Sequence, residues 1–118
     1  MCFAGNTDLG LSNYYNSDIA TAAAWLRDFL EPKLRNPAFA DNTLVVIVWD
    51  EGSGPGAQRS HVSTILLSSS IFAGARDATA YDHYSLLRTI QHNWNLGTLG
   101  RKDDAARSFG IIAGKPKR

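Results

Sequence analysis

The chain reads as an α/β protein, and three observations predict that class. Apolar residues recur every three or four positions from Ile19 to Leu34. A continuous β-branched run, TLVVIVW, spans Thr43 to Trp49, and a second apolar run spans His61 to Leu67. A further helical rhythm occupies His83 to Asn95. Apolar strands set between helical segments call for layers, because each element buries its apolar face only against another. At 118 residues, with 44% hydrophobic and 19% charged types, the composition fits one globular domain.

Taken in order, the opening MCFAGNTDLG has no basic stretch followed by an apolar core, so it does not read as a secretory leader. Its Gly- and Asn-containing character is the kind expected inside a longer chain. The first helix presents Ile19, Ala22, Ala23, Leu26, Phe29, Leu30 and Leu34 as one stripe. Ser17 or Asp18 is its candidate N-cap. Pro32 is expected to kink the helix or open a further turn, and Asn36-Pro37 to close the segment. The Thr43–Trp49 run shows no alternation, which predicts a strand buried on both faces. It stops at Asp50-Glu51-Gly52, and SGPGAQRS then reads as a flexible loop. His61 opens the second strand. In the second helix Leu86, Leu87, Ile90 and Trp94 form the buried stripe, with Asp82 as N-cap and Gly97 as C-cap. A short helical segment is expected near Lys102–Phe109, followed by a polar tail over 110–118. Trp25, Trp49 and Trp94 all sit in apolar stripes and are expected in the core. Two strands of buried type make a poor sheet alone, so the pattern predicts part of a larger one.

Charge and motifs narrow the function. Twelve basic and eleven acidic residues give a net charge of +1. That near-balance argues against a general nucleic-acid binder. No apolar run approaches the roughly 20 residues that cross a bilayer. Cys2 is the single cysteine, which excludes an internal disulfide and a multi-cysteine zinc site. GSGPG lacks the Lys-Ser/Thr that completes a phosphate-binding P-loop, and neither GxSxG, HExxH nor CxxC is present.

The informative spot is VVIVWDEG. Two adjacent carboxylates, Asp50 and Glu51, follow a buried-type strand at its C-terminal end, the edge at which open α/β sheets bind ligands. Neighbours on a strand point to opposite faces, so the two share a site only if the strand breaks there. Acids brought together repel, and a hard divalent cation with oxygen ligands relieves that repulsion. A solvated polar pair ending the strand is the plainer alternative. His61 and His83 stand at element ends, where side chains from separate segments converge. Each is a candidate metal ligand or acid, or simply a surface or capping histidine. His92 falls on the polar face of its helix and reads as solvated.

TLVVIVWDEG, the glycine-rich loop, SHVSTILL and AYDHYSLLRTIQHNWNLGTLGRKDDA follow one another in an order that resembles the phosphoesterase family. That family contains secreted fungal acid phosphatases and bacterial phospholipase C-like enzymes. WLRDFLEPKLRNPAF is similar to the helix that precedes the family's Asp-Glu strand, and the likeness covers about residues 19–106. The resemblance implies part of an alkaline-phosphatase-like sheet flanked by helices, within one domain over 1–118 that corresponds to the C-terminal portion of the family's fold. It implies hydrolysis of phosphate esters with a divalent metal ion, held in part by Asp50 and Glu51, and an extracellular location for full-length relatives. His61 matches a position that is His in some relatives and Arg in others, while His83 belongs to a DHYS-type motif that orients or supports the site. Tyr15-Asn16 stands where relatives carry a His-Asp pair. The family's first metal ligands and hydroxyl nucleophile match nothing in this chain, so little activity is expected from it alone. A non-catalytic remnant that binds metal or a partner chain, or an interaction domain sharing only the fold, are the other readings. Exposed strand edges are expected to promote self-association.

Overall fold

In the computed structural model, residues 19–51 and 61–112 are described. The candidate cap at Ser17 or Asp18, the Tyr15-Asn16 position, the loop from Gly52 to Ser60 and the last six residues lie outside them. The described elements are α1 (Ile19–Leu34), α2 (Pro37–Ala40), β1 (Val45–Val48), β2 (Thr64–Leu67), α3 (His83–Asn93) and a 3₁₀ turn (Gly110–Ile112). The α/β expectation holds in its coarse form, as three helices and a two-stranded sheet.

Helix α1 runs unbroken through Pro32. Proline removes one ladder donor, and on the same turn Lys33 Nζ donates to the Phe29 carbonyl at 3.1 Å. Arg35 pairs with Glu31 one turn apart. Asn36-Pro37 does more than close this segment: it starts α2. Asn36 Oδ1 accepts from Ala38 N at 3.1 Å, and Pro37 fills the first helical position, where a missing N–H costs nothing.

Strands β1 and β2 pair antiparallel, Val45 opposite Leu67 and Val48 opposite Thr64. Both are shorter than their apolar runs, and β2 starts at Thr64, so His61 lies ahead of the strand rather than opening it. Burial on both faces is not observed. Each β1 residue is half-buried, and Thr64 and Ile65 of β2 are exposed. Among the described elements, close backbone packing joins β1 to β2 and α1 to α2. An apolar run sets strand propensity, whereas burial needs an element laid over each face.

Helix α3 begins where expected. Asp82 Oδ1 accepts from Ser85 N at 2.9 Å, and Ser85 Oγ accepts from Asp82 N at 3.3 Å, a reciprocal capping box. It ends two residues early, and Gly97 is not its cap. Asn95 takes the left-handed conformation at φ 53°, with Asn95 N donating to His92 O and Leu96 N to Gln91 O. This is the Schellman closure, in which asparagine tolerates the conformation that glycine usually supplies. Arg101–Ala105 forms turns instead of the expected helix, and Gly110–Ile112 belongs to the fold rather than to a polar tail.

The buried apolar side chains among the described residues are Leu30 and Phe109. None of the three tryptophans is a core residue: Trp25, Trp49 and Trp94 are 42%, 41% and 56% exposed. Trp25 instead stacks on Phe29, with ring centroids 5.2 Å apart, and Lys33 Nζ sits 3.8 Å from the Phe29 centroid. A helical stripe sets which side chains share a face but not whether anything covers it.

Candidate functional site

The geometry of the site follows from the antiparallel ladder. Pairing in opposite directions places the end of β1 beside the start of β2, and Trp49 N donates to Ser63 O at 3.3 Å there. The strand stops at Val48 and the chain bends at Asp50, which meets the condition for Asp50 and Glu51 to leave the alternating pattern. Both acids are exposed at that end. Asp50 Oδ1 accepts from Glu51 N at 2.8 Å.

The start of α3 meets the same spot. His83 Nε2 lies 2.6 Å from the backbone carbonyl oxygen of Asp50, joining positions 33 residues apart in sequence. A carbonyl only accepts, so the imidazole donates from Nε2. The fold therefore brings the His83 ring to the backbone of Asp50, next to Glu51 in the chain. His61 is exposed, three residues ahead of β2 at the same end of the ladder. Among the described residues, no group of three or more His, Cys, Asp and Glu side chains is arranged to hold a metal ion.

Two clefts lie elsewhere. One of about 460 Å³ is bounded by Tyr81, Asp82, Ser85 and Ala105–Arg107. The other, about 730 Å³, runs under β2 past Phe72, Asp77, Tyr81 and Phe109. Neither includes Asp50, Glu51, His61 or His83.

The most extensively bonded acid of the described fold is one that sequence patterns did not single out. Asp103 is fully buried at 0% exposure. Its Oδ2 accepts from Gln91 Nε2 at 2.8 Å and Leu99 N at 2.7 Å, and its Oδ1 accepts from Arg101 N at 3.0 Å. The Gln91 amide, then the Leu99 N–H, hold its pKa below the ordinary 3.8 against the opposing cost of burial. Asp77 is also lowered, by its bonds to Thr79 and Tyr81. Gly110 N donates to Tyr81 Oη at 2.9 Å, and Phe109 N to Thr89 Oγ1 at 2.9 Å. His92, though exposed, bonds Ser108 Oγ through Nδ1 at 2.6 Å, so it is not merely solvated. An acid after Gly100 in RKDD reads as a solvated turn, and no periodicity reveals that Gln91 faces it.

Comparison with known proteins gives this arrangement a context. The family model described as the Phosphoesterase family matches residues 10–97, a span that contains Asp50, Glu51, His61 and His83. The chain is 39% identical over 102 residues to a probable acid phosphatase of Kluyveromyces lactis, covering 84% of this chain and 24% of that protein. It is 33% identical over 104 residues to an acid phosphatase of Aspergillus fumigatus, covering 86% and 23% respectively. A phosphatidylinositol-3-phosphatase of Mycobacterium tuberculosis is 28% identical over 94 residues, covering 80% and 30%. No solved structure matches the chain. The chain thus spans about a quarter of the length of the acid phosphatases it matches. With most of its residues inside the family match, and its paired acids and DHYS helix start within it, the chain belongs to the phosphoesterase family.

Proposed function

We propose that this chain is the C-terminal portion of a phosphoric-ester hydrolase of the acid-phosphatase kind, and that it carries half of a divalent-cation site. On this reading its two strands belong to a larger, alkaline-phosphatase-like sheet. The observation that carries the proposal is the bend after β1, which frees Asp50 and Glu51 from alternation at an exposed end. The donor chemistry fits, because two carboxylates match the oxygen preference of a hard cation such as Mg²⁺, Mn²⁺ or Ca²⁺. Asp50 and Glu51 would hold the ion, which supplies positive charge that polarises phosphoryl oxygens. His61, exposed at the same end of the ladder, is the histidine whose ring is open to donate a proton to a departing alkoxide. Substrates are phosphate esters, as the names of the relatives suggest.

A second reading is supported by a different observation. The exposed Trp25–Phe29 stack and the exposed Ile65 suit a non-catalytic module that binds metal or another chain. Calorimetric titration with Mn²⁺, alongside hydrolysis of p-nitrophenyl phosphate, tests both. The 118-residue chain is expected to bind the cation and to hydrolyse the ester near background. Combined Asp50→Ala and Glu51→Ala substitution is expected to weaken binding at least tenfold. Unchanged affinity in that double variant removes the metal-site assignment.

A further inference from the structure

We propose that the turn following α3, residues 94–102, is a docking surface for an anionic lipid bilayer. Neither Asp50 nor Glu51 takes part in it. The backbone of this turn is gathered on one hub. Leu96 N donates to the Gln91 carbonyl at 2.8 Å. Leu99 N and Arg101 N donate to the two oxygens of Asp103, and Gln91 Nε2 donates to the same carboxylate. Asn95 and Gly100 hold positive φ, 53° and 67°, which turns the chain at both places. The polar backbone groups that a loop must satisfy are thus directed inward, onto Gln91 and Asp103. The side chains they leave outside are apolar: Trp94, Leu96 and Leu99 are 56%, 55% and 70% exposed. Three large apolar side chains on backbone that is already fixed form a patch with little left to order on docking.

Charge selects the occupant. Arg101, Lys102 and Arg107 are exposed, and the salt bridges among the described residues are Arg27–Asp28 and Arg35–Glu31, which involve none of them. Asp103, the acid beside Lys102, is buried with both oxygens accepting N–H bonds, and Asp104 is the exposed acid of this stretch. The turn therefore presents an excess of positive charge beside its apolar patch. At a bilayer such leucines enter the headgroup boundary, the indole suits the interface, and Arg and Lys meet the acidic headgroups. An uncharged apolar partner would cover the leucines and leave three unpaired cations at the rim. Neither of the two clefts is lined by Trp94, Leu96 or Leu99. A projecting turn of this kind fits a surface that yields around it, as a fluid bilayer does.

The test is flotation of the 118-residue chain with two kinds of vesicle, phosphatidylcholine alone and phosphatidylcholine mixed with phosphatidylserine. Partition is expected onto the anionic vesicles and about tenfold more weakly, or less, onto the neutral ones. Leu96→Ser with Leu99→Ser, and separately Arg101→Gln with Lys102→Gln, are each expected to weaken it by about tenfold. Circular dichroism should be unchanged, because all four side chains are exposed. Trp25→Ser with Phe29→Ser, which removes a different exposed apolar pair, is expected to bind as wild type. Absence of partition onto anionic vesicles, or equal partition onto both kinds, overturns the inference. So does wild-type binding in either loop variant, or a loss confined to the Trp25/Phe29 variant, which moves the contact to α1. If vesicles are not bound and Leu96→Ser/Leu99→Ser instead disperses an oligomer in sedimentation velocity, the patch joins copies of this chain and the inference is overturned. Should the leucine variant not fold, the Arg101/Lys102 variant and the Trp25/Phe29 control decide.

Discussion

The segment around α3 and the segment comprising α1 and the β1–β2 ladder contain similar apolar residues but use them differently. Around α3, Phe109 is buried with its ring edge-on to Tyr81 at 4.9 Å, and Ser85, Gln91 and Asp103 are buried with their polar atoms bonded. Thr89 both accepts from Phe109 N and donates to Ser85 O at 2.7 Å, so the chain after Asp103 is stitched along the helix. In the other region Leu30 is the buried apolar residue, while Ile19, Trp25, Phe29 and Ile65 face outward. Buried side-chain bonds between distant positions define one region, whereas the long-range bonds of the other are the backbone ladder of β1 and β2 and the exposed Ser69 Oγ donating to Asp41 O. The comparison teaches that apolar content does not mark the consolidated part of a small chain. Satisfied buried polar groups mark it better, because such groups fix one geometry at the risk of a high cost if broken.

Substitutions can break or sharpen this contrast. The largest effect is expected at Phe109, where Phe109→Ala leaves a hole against Tyr81 and should cost about 3 kcal/mol in urea unfolding. A loss under about 1 kcal/mol would mean that the α3 region is no better consolidated than the ladder.

Asp103→Asn comes next, and its signature is pH dependence. The folded pKa of Asp103 lies below its ordinary 3.8, so its charge contributes stability above that value, and the contribution is lost as pH falls through the folded pKa. Melting temperature in the wild type should therefore drop on acidification below about pH 4, and the drop should be shallower in Asp103→Asn. Asp77, shifted in the same direction, accounts for a residual slope. Parallel melting curves for the two proteins across that range would show that the Asp103 network does not stabilise the fold through its charge.

The smallest effect on stability is expected for Trp25→Ser with Phe29→Ser, within about 1 kcal/mol, since the stacked pair is already exposed. The same pair should matter more for association. Sedimentation velocity is expected to show self-association of the wild-type chain and less of it in the double variant. A monomeric wild type at high concentration would remove that expectation.

Short-range features were legible from the residues alone. Asp82 caps α3 because an acid ahead of a helical stripe has a free backbone N–H to accept, and the VVIV run pairs as a strand because β-branched side chains suit a pleated surface. Among the site residues, Asp50 and Glu51 were legible as an acid pair after a strand, and His83 as the opening residue of a helix. The bond between His83 and Asp50 was not, since it depends on α3 coming back to the end of β1. The tryptophans misled because a tryptophan on a stripe signals a face, while coverage of that face is a property of neighbours. Gly97 misled for the opposite reason: Asn95 adopted the left-handed turn first, and the helix closed before reaching the glycine.

The sequence by itself determined the order of α1, β1, β2 and α3, the cap of α3 and the presence of adjacent acids where a strand runs out. These are set within a few residues by backbone donors, side-chain shape and repulsion between like charges. Only the tertiary structure decided that β1 and β2 run antiparallel, that His83 holds the Asp50 carbonyl, and that Asp103 is a buried acceptor for Gln91, Leu99 and Arg101. Each of those contacts joins parts of the chain whose local preferences are satisfied in many arrangements, so their meeting is fixed by packing and by the need to bond every buried polar group.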